Sequence, residues 1–468
     1  MSTDSRRSRS RARRGRGFAV AFAAVLVGLV VVGGIGGVVA VAQGPRVTDV
    51  QVDPAAAVAA SGSRVILTTT QSLETVDASQ VSVEPATPFT VDTAGRSVGV
   101  RFTLPLRDDT DYRITVDGVS GLGAGPSSTL TETFRTPPLQ AYLTQRGTPE
   151  GDTIFRTDLR GEAGLPVFVH PHIEDFRATA NHLVISVRDG DTARVIVTDP
   201  DGQNARDVAL PGPGFVSNLQ SADRGERVGF TFSDADLGAA GGRESRLFTM
   251  SAADDAPPTD VGLNGGDARI ADYRFVPDTD SMLVLTFDSR LLLTDAEGGN
   301  AAPLGSAVSI DGIARGSSVA IVERLEGLRE VDLTDGSERP LVQPVDPPGL
   351  AGRATPVPGT DAGTIRSFAD ISADGVSRST TVAHVDTGGA VRPMLEVPGS
   401  DTVLQTCVSP SGRYAAVLIA PRAVDNPFDR YQLPLPERLL THLVEVDTGQ
   451  EVVALQGFDL SWCQVPPQ

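Results

Sequence analysis

Residues Leu291 to Leu304 read LLLTDAEGGNAAPL, and this pattern decides the fold. A short apolar run leads to Asp295, a turn that contains Gly298, and a second short run. Runs of this length predict strands, the carboxylate is suited to accept hydrogen bonds from turn amides, and glycine supplies the positive φ that a tight hairpin needs. The stretch therefore predicts a β-hairpin in which the aspartate shapes the turn and has no catalytic role.

The same hairpin pattern recurs along the C-terminal two thirds of the chain. The further copies are Ile154 to Val167, Val195 to Val208, Leu328 to Leu341, a weak copy near Leu247 to Val261, and copies around Asp386 with Gly389 and around Asp447 with Gly449. Their mean spacing is about 48 residues, which lies in the range of β-propeller blades. Residues 139–468 are therefore predicted to form a propeller of seven blades, or of six if the weak copy is an insertion.

A second element precedes the hairpins. Thr406 to Val417 read TCVSPSGRYAAV and Phe275 to Leu285 read FVPDTDSMLVL, each a strand, a polar turn and a strand. These halves resemble TolB-like and WD-type repeats, and the resemblance implies four-stranded blades and association with the cell envelope. The last apolar stretch, Phe458 to Cys463, is predicted to complete the first blade, which closes the ring and removes exposed sheet edges.

Residues 46–136 form a separate region of alternating short strands, which predicts a second all-β domain. It contains FTLPL at Phe102 to Leu106, DYRITV at Asp111 to Val116, and FRT at Phe134 to Thr136. These motifs resemble the bacterial Ig-like domains of envelope and surface proteins. The resemblance implies a β-sandwich that acts as a spacer or an adhesion module. Asp108, Asp109 and Asp111 could bind calcium through their carboxylates, but their spacing matches no complete calcium loop, so a solvated turn is predicted.

The N-terminus predicts a membrane anchor. Residues 1–17 hold seven arginines, and residues 18–42 are apolar without a charge. A run of this length is sufficient to span a bilayer as a helix, and the arginines favour a cytoplasmic N-terminus with the following domains outside. The alternative is a signal peptide cleaved after Ala42, which follows small residues, but its apolar region would be longer than usual.

Composition excludes several functions for the external part. The chain has a formal net charge of -19, which disfavours binding to a phosphate backbone, and no lysine for a P-loop or a Schiff base. Its two cysteines, Cys407 and Cys463, fall at matching places in the predicted inner strands of neighbouring blades. On the external side of a membrane we expect a disulfide between them, the alternative being two buried free thiols.

No catalytic or cofactor motif appears in the sequence, and no catalytic, cofactor or metal residue is assigned. His170 and His172 could lie together, but zinc would need further ligands from elsewhere. Acid pairs such as Asp234 and Asp236 could serve a glycosidase, yet in an acidic chain such pairs are mostly solvated turns. We therefore expect that the chain is not an enzyme.

The longest insertion within a predicted blade, Pro421 to Glu437, is the candidate for partner binding. It lies between the predicted second and third strands, and long loops with aromatic and arginine residues commonly bind partners. The alternative is a proline-stiffened cover over a sheet edge. The residues predicted to contact a partner are Asp425, Phe428, Arg430 and Tyr431.

Together these features predict a single-pass protein of the bacterial cell membrane, with an Ig-like stalk and a terminal propeller outside. The predicted function is to bind a protein or glycan of the envelope. The alternative is a propeller-fold hydrolase or lyase that acts on envelope glycans through carboxylates converging at the central channel.

Overall fold

The computed structural model describes residues 20, 22–31, 44–123, 125–159, 161, 164–223, 225–238, 241–263, 265–359 and 362–467. Residues 22–31 are helical. Within the described ranges, no helix has the length and apolar character needed to cross a bilayer. The predicted tail 1–17 and most of the predicted membrane segment 18–42 lie outside the described residues.

The described chain divides into two compact units. Unit 1 comprises residues 1–54, 63–102 and 111–135, and unit 2 comprises residues 55–62, 103–110 and 136–468. The sequence predicts domains over 46–136 and 139–468. Residues 55–62 and 103–110, which the sequence places in the first domain, belong to unit 2, where Leu106 N donates to Ala57 O at 2.7 Å.

Unit 1 consists of two antiparallel sheets. Its strands are β1 (Val47–Gln51), β2 (Arg64–Thr69), β3 (Val81–Glu84), β4 (Phe89–Ala94), β5 (Ser97–Phe102), β6 (Asp111–Val119) and β7 (Ser128–Arg135). The sheet orders are β1-β2-β5-β4 and β3-β6-β7. Alternate residues point inward, such as Val65 and Leu67, and the rings of Phe102 and Tyr112 bring the two sheets together with centroids 6.5 Å apart. A short α-helix, Pro54–Ala59, follows β1 in the chain, and its residues after Pro54 belong to unit 2.

Unit 2 contains seven antiparallel sheets in chain order, which we call blades 1 to 7. Blade 1 has three strands: β8 (Gln140–Thr148), β9 (Gly151–Asp158) and β10 (Leu165–His170). Blade 2 has four: β11 (Ile173–Ala178), β12 (Leu183–Asp189), β13 (Thr192–Thr198) and β14 (Arg206–Asp207). Blade 3 also has four: β15 (Gly214–Ser221), β16 (Arg227–Asp234), β17 (Arg246–Ser251) and β18 (Thr259–Asp260).

Blades 4 to 7 follow the same four-stranded meander. They are formed by β19 (Ile270–Phe275), β20 (Ser281–Thr286), β21 (Arg290–Asp295), β22 (Ala302–Ser306); β23 (Ser309–Ile313), β24 (Val319–Arg324), β25 (Gly327–Asp332), β26 (Glu338–Pro340); β27 (Leu350–Pro356), β28 (Thr364–Ile371), β29 (Ser377–Val385), β30 (Val391–Pro398); and β31 (Thr402–Val408), β32 (Tyr414–Ala420), β33 (Leu440–Glu445), β34 (Glu451–Gln456). The weak sequence copy forms β17 and β18, so seven blades are present in the described part of the chain.

The first strands of neighbouring blades contact one another from β11 to β31, and the C-terminal segment closes the ring. Phe458 and Thr144 exchange backbone hydrogen bonds of 2.9 and 3.0 Å, and Ser461 N donates to Tyr142 O at 2.9 Å. The C-terminal segment thus supplies the inner element that β8 to β10 lack, as the sequence predicts. This arrangement of consecutive meanders closed by the chain end is that of a β-propeller.

Cys407 on β31 and Cys463 after the closing segment form a disulfide, with Cα atoms 5.6 Å apart. The predicted bond is therefore present, and it joins blade 7 to the segment that completes blade 1.

The core of unit 2 lies between neighbouring blades. Val184 and Val195 of blade 2 pack with Phe230, Phe232 and Phe248 of blade 3 in one buried cluster. Each large side chain buried in this way contributes about 1.5–3 kcal/mol. The two faces of each sheet are both covered, which explains the nearly continuous apolar runs in the second strands of the blades.

The aspartates of the repeated hairpins shape turns, as predicted. Asp295 Oδ1 accepts hydrogen bonds from Glu297 N at 3.1 Å and Gly299 N at 2.9 Å. Asp386 Oδ1 accepts from the amides of Gly388 and Ala390 at 2.8 and 2.9 Å. These carboxylates are therefore used by the backbone.

Candidate functional site

The insertion in blade 7, residues 421–439, connects β32 to β33, the second and third strands, and we call it the arm. Its base is fixed by the buried Asn426, whose Nδ2 donates to Arg438 O at 2.7 Å and whose Oδ1 accepts from Arg438 N at 3.0 Å. A bridge between Phe428 and Pro436 continues this pairing. The arm is therefore an ordered hairpin-like excursion.

At the tip of the arm, Tyr431 contacts blade 1 and the residues that follow it. Its hydroxyl donates to Asp152 Oδ2 at 2.7 Å, and its ring stacks on the imidazole of His172 with centroids 3.9 Å apart. Burial raises the pKa of the Tyr431 phenol, and the adjacent Asp152 carboxylate raises it further. The phenol therefore stays protonated and remains a hydrogen-bond donor to Asp152.

The next residues of the tip reach blades 2 and 3. Gln432 N donates to both carboxylate oxygens of the buried Glu174, at 3.1 and 3.0 Å. The side-chain amide of Gln432 donates to Ser217 Oγ at 2.9 Å. Glu174 and Ser217 belong to the first strands β11 and β15. The tip thus lies against inner strands of the ring.

Arg146 on β8 locks the arm to the ring. Its Nη1 lies 2.7 Å from Asp429 Oδ2, and its Nη2 donates to Glu174 O at 2.7 Å. Its Cζ lies 3.8 Å from the ring centroid of Tyr431 and 4.9 Å from that of Phe458. The buried guanidinium combines charge-assisted hydrogen bonds with cation–π contacts, so it holds the tip in one conformation.

A cavity of about 900 Å³ lies between the arm and the adjoining parts of blades 1 and 7. Phe428, 62 % exposed, and the exposed Arg430 line it. Among the residues that the structure describes, Arg430 has no hydrogen bond or ion pair. The cavity therefore presents an aromatic ring and an available guanidinium on a fixed support.

The structure separates the four residues that the sequence predicts as partner contacts. Asp425, Phe428 and Arg430 are exposed on the arm, whereas Tyr431 is half-buried and bonded within the protein. Tyr431 therefore anchors the arm. The tip of the arm packs on the inner strands of the ring, and Phe428 and Arg430 on the arm are exposed.

Sequence reasoning did not find the residues that hold the arm. They are Arg146, Asp152, Glu174, Asn426 and Gln432. Each lies in an ordinary strand or loop pattern, and the contacts of Arg146, Asp152 and Glu174 with the arm join residues more than two hundred positions apart. No local signal marks such contacts.

The two neighbouring histidines have partners within the protein. His172 Nε2 lies 2.6 Å from Glu174 Oε1, and His170 Nδ1 accepts from His172 N at 3.1 Å. In the described part of the chain, no cluster of three His, Cys, Asp or Glu residues has a geometry that could hold a metal ion.

Two carboxyl groups do converge on the inner strands of the ring. Asp175 on β11 and Asp459 in the closing segment are both buried, and Arg177 Nη1 lies 2.8 Å from Asp175 Oδ1 and 3.2 Å from Asp459 Oδ1. A β-bulge in β11 between Ile173 and Asp175 changes the direction of the side chains in this part of the strand. Burial raises the pKa of Asp175 well above its ordinary value, Arg177 opposes that rise, and Asp459 adds to it.

No protein-family model and no curated protein matches this chain. Solved structures similar to it include the β-propeller domain of Swd1 from Myceliophteria thermophila, with 11 % identity, 61 % of this chain and 86 % of that chain covered, and a TM-score of 0.40. TolB from Acinetobacter baumannii has 13 % identity, coverage of 83 % and 82 %, and a TM-score of 0.33. Oligogalacturonate lyase from Vibrio parahaemolyticus has 9 % identity, coverage of 65 % and 91 %, and a TM-score of 0.44. β-Propellers thus occur among the similar structures, and none of these similarities bears on function.

Proposed function

We propose that this chain is a membrane-anchored, extracytoplasmic binding protein of the bacterial cell envelope. Its propeller presents the outer side of the arm to a protein or glycan partner, and the two-sheet unit 1 is an Ig-like spacer. Residues 18–42 anchor the chain as a single membrane-spanning helix, with residues 1–17 in the cytoplasm.

The observation that carries this proposal is the pre-organised arm. Val424 and Phe428 are 97 % and 62 % exposed, and Asp425 and Arg430 are exposed beside them. Exposed aromatic and arginine residues are enriched at binding interfaces, and a fixed loop loses little conformational entropy when it binds. The contacts of Tyr431 at the tip supply that fixation.

The alternative function, a glycan hydrolase or lyase, requires carboxylates that are free to act on a substrate. Asp175 and Asp459 share Arg177, and Glu174 accepts hydrogen bonds from the arm. Asp152 accepts the Tyr431 hydroxyl. Since the convergent carboxylates are engaged by the chain itself, we propose binding as the function in preference to catalysis.

The double variant Phe428→Ala/Arg430→Ala is expected to lose binding to the envelope partner. The loss should be at least tenfold, because a residue that dominates an interface contributes about 2 kcal/mol or more. The measurement is co-sedimentation of the detergent-solubilised full chain with envelope fragments that lack it. The matched control is Leu325→Ala, which removes a side chain that is 91 % exposed on blade 5. Equal binding by wild type and the double variant would contradict the proposal.

The membrane anchor makes a separate prediction. The mature protein isolated from membranes should retain residues 1–42, because the apolar run is longer than the corresponding region of a cleaved signal peptide. Intact-mass measurement of the membrane-bound protein checks this. A mass that corresponds to a chain beginning at Gln43 would show cleavage and remove the proposed anchor.

A further inference from the structure

Arg366 on β28 in blade 6 is a buried cation of an unusual kind. The residue is 3 % exposed, and its Nε donates to Thr364 Oγ1 at 2.9 Å while its Nη2 donates to Val342 O at 2.8 Å. Both partners are neutral. Among the described residues, no carboxylate forms an ion pair with Arg366, and its Nη1 donates no hydrogen bond.

Other buried arginines of unit 2 have carboxylate partners. Arg146 pairs with Asp429, and Arg274 pairs with Asp272. Burial lowers the pKa of the Arg366 guanidinium, and the carboxylates of Glu330 and Asp311, which form no direct ion pair with it, oppose that lowering only in part. The site therefore gains stability from any anion that reaches the open side of this guanidinium.

A cavity of about 300 Å³ lies beside Arg366, between blades 5 and 6. The apolar part of its lining includes Val319, Ile321, Leu341, Val357, Ala362 and Val385. Three more charged side chains line it. Arg339 and Glu330 form an ion pair with each other, and Asp386 accepts the turn amides of its own hairpin. Arg366 thus forms no direct ion pair with any described residue, and Glu330, the carboxylate in this lining that acts on its charge, is itself paired with Arg339.

We propose that this cavity is a binding site for a small carboxylic acid with an apolar body, whose carboxylate pairs with Arg366. A guanidinium edge matches the geometry of a carboxylate, and the apolar walls match the remainder of the ligand. The volume lies at the lower end of the range for small-molecule sites.

Backbone contacts hold the described residues of the cavity wall that lead into β28. His384 Nε2 lies 2.8 Å from Ala362 O, which holds the segment before β28 against β29. Gly363 in this segment has φ +80°, and a Cβ there would lie 2.3 Å from Val385 O. The backbone at Gly363 therefore takes a conformation that only glycine accommodates, close against Val385.

The test is isothermal titration calorimetry of the full chain with acetate, butanoate, benzoate and indole-3-acetate, and with benzamide as the neutral partner of benzoate. We expect saturable binding of at least one apolar carboxylate, and binding of benzoate at least tenfold tighter than that of benzamide. The absence of saturable binding by all four acids at millimolar concentration, or equal affinity for benzoate and benzamide, would overturn the proposal.

Variants locate the site. Arg366→Met should weaken carboxylate binding at least tenfold, and Ala362→Leu should do the same by filling the cavity while Arg366 stays in place. The control is Arg378→Met on β29 of the same blade, whose side chain is 66 % exposed. If Arg366→Met fails to fold, Ala362→Leu and the comparison of acid with amide still decide the outcome. Unchanged binding in Ala362→Leu would place the ligand elsewhere.

Discussion

Replacing Arg177 with methionine is expected to lower the free energy of unfolding of unit 2 by about 3–5 kcal/mol. Arg177 is 1 % exposed and is the cation between the buried carboxyl groups of Asp175 and Asp459. Methionine fills much of the same space but leaves both carboxyl groups buried without a counter-charge. Breaking a buried ionic group in this way costs far more than losing an exposed pair.

The chain supplies its own probe for this measurement. Trp462 is the only tryptophan and lies in the buried cluster at the ring closure. Urea unfolding followed by its fluorescence therefore reports on unit 2. Arg378→Met removes an arginine whose side chain is 66 % exposed, and its midpoint should remain close to that of the wild type. A loss below about 1 kcal/mol in Arg177→Met would mean that the triad is not a stabilising element.

The same triad should make stability depend on pH. Burial raises the pKa of Asp175, so the folded state holds this proton more tightly than the unfolded state. The stabilisation is complete below about pH 4, near the ordinary carboxyl pKa, and is lost as the pH rises through the higher pKa of the folded state. Asp459→Asn removes a cause of the elevation, so the loss of stability between acidic and neutral pH should be smaller in this variant. An identical pH profile for wild type and Asp459→Asn would contradict this assignment.

The ring was predictable from the sequence because its repeats are local. An aspartate such as Asp295 and the glycine three residues later define one turn within a single hairpin, and the structure uses them in that way. The closure was predictable for a related reason. Phe458 to Cys463 has the apolar pattern of an inner strand, and its backbone pairs with β8 of the three-stranded first blade.

The contacts that fix the candidate site were not predictable, because they join distant parts of the chain. Tyr431 is of a residue type that is common at binding interfaces. Only the fold shows that its hydroxyl donates a hydrogen bond to Asp152. Asp108 is a similar case. From the sequence it is predicted to be a solvated turn residue. In the structure it is 6 % exposed, and its Oδ1 lies 3.4 Å from Arg413 Nη1. An acidic turn looks the same in sequence whether or not a distant arginine covers it.

The double variant Cys407→Ala/Cys463→Ala should be less stable than the wild type by about 4 kcal/mol on chain-entropy grounds. The bond joins residues 56 positions apart, so its loss frees a long loop in the unfolded state. In the folded state it ties down a closing segment that is otherwise joined to blade 1 by few backbone hydrogen bonds, among them those of Phe458 and Ser461. Urea unfolding followed by Trp462 fluorescence gives the change in free energy.

The reduced wild-type protein is the matched control for this variant, because it has the same open chain and retains both sulfur atoms. Its urea midpoint should fall to that of Cys407→Ala/Cys463→Ala, and adding reductant should leave the variant unchanged. Amide hydrogen exchange should accelerate first at Thr144 and Ser461, where the chain end pairs with β8. If reduction leaves both the midpoint and these exchange rates unaltered, the pairing of the closing segment alone is sufficient to hold the ring, and the disulfide adds nothing to its stability.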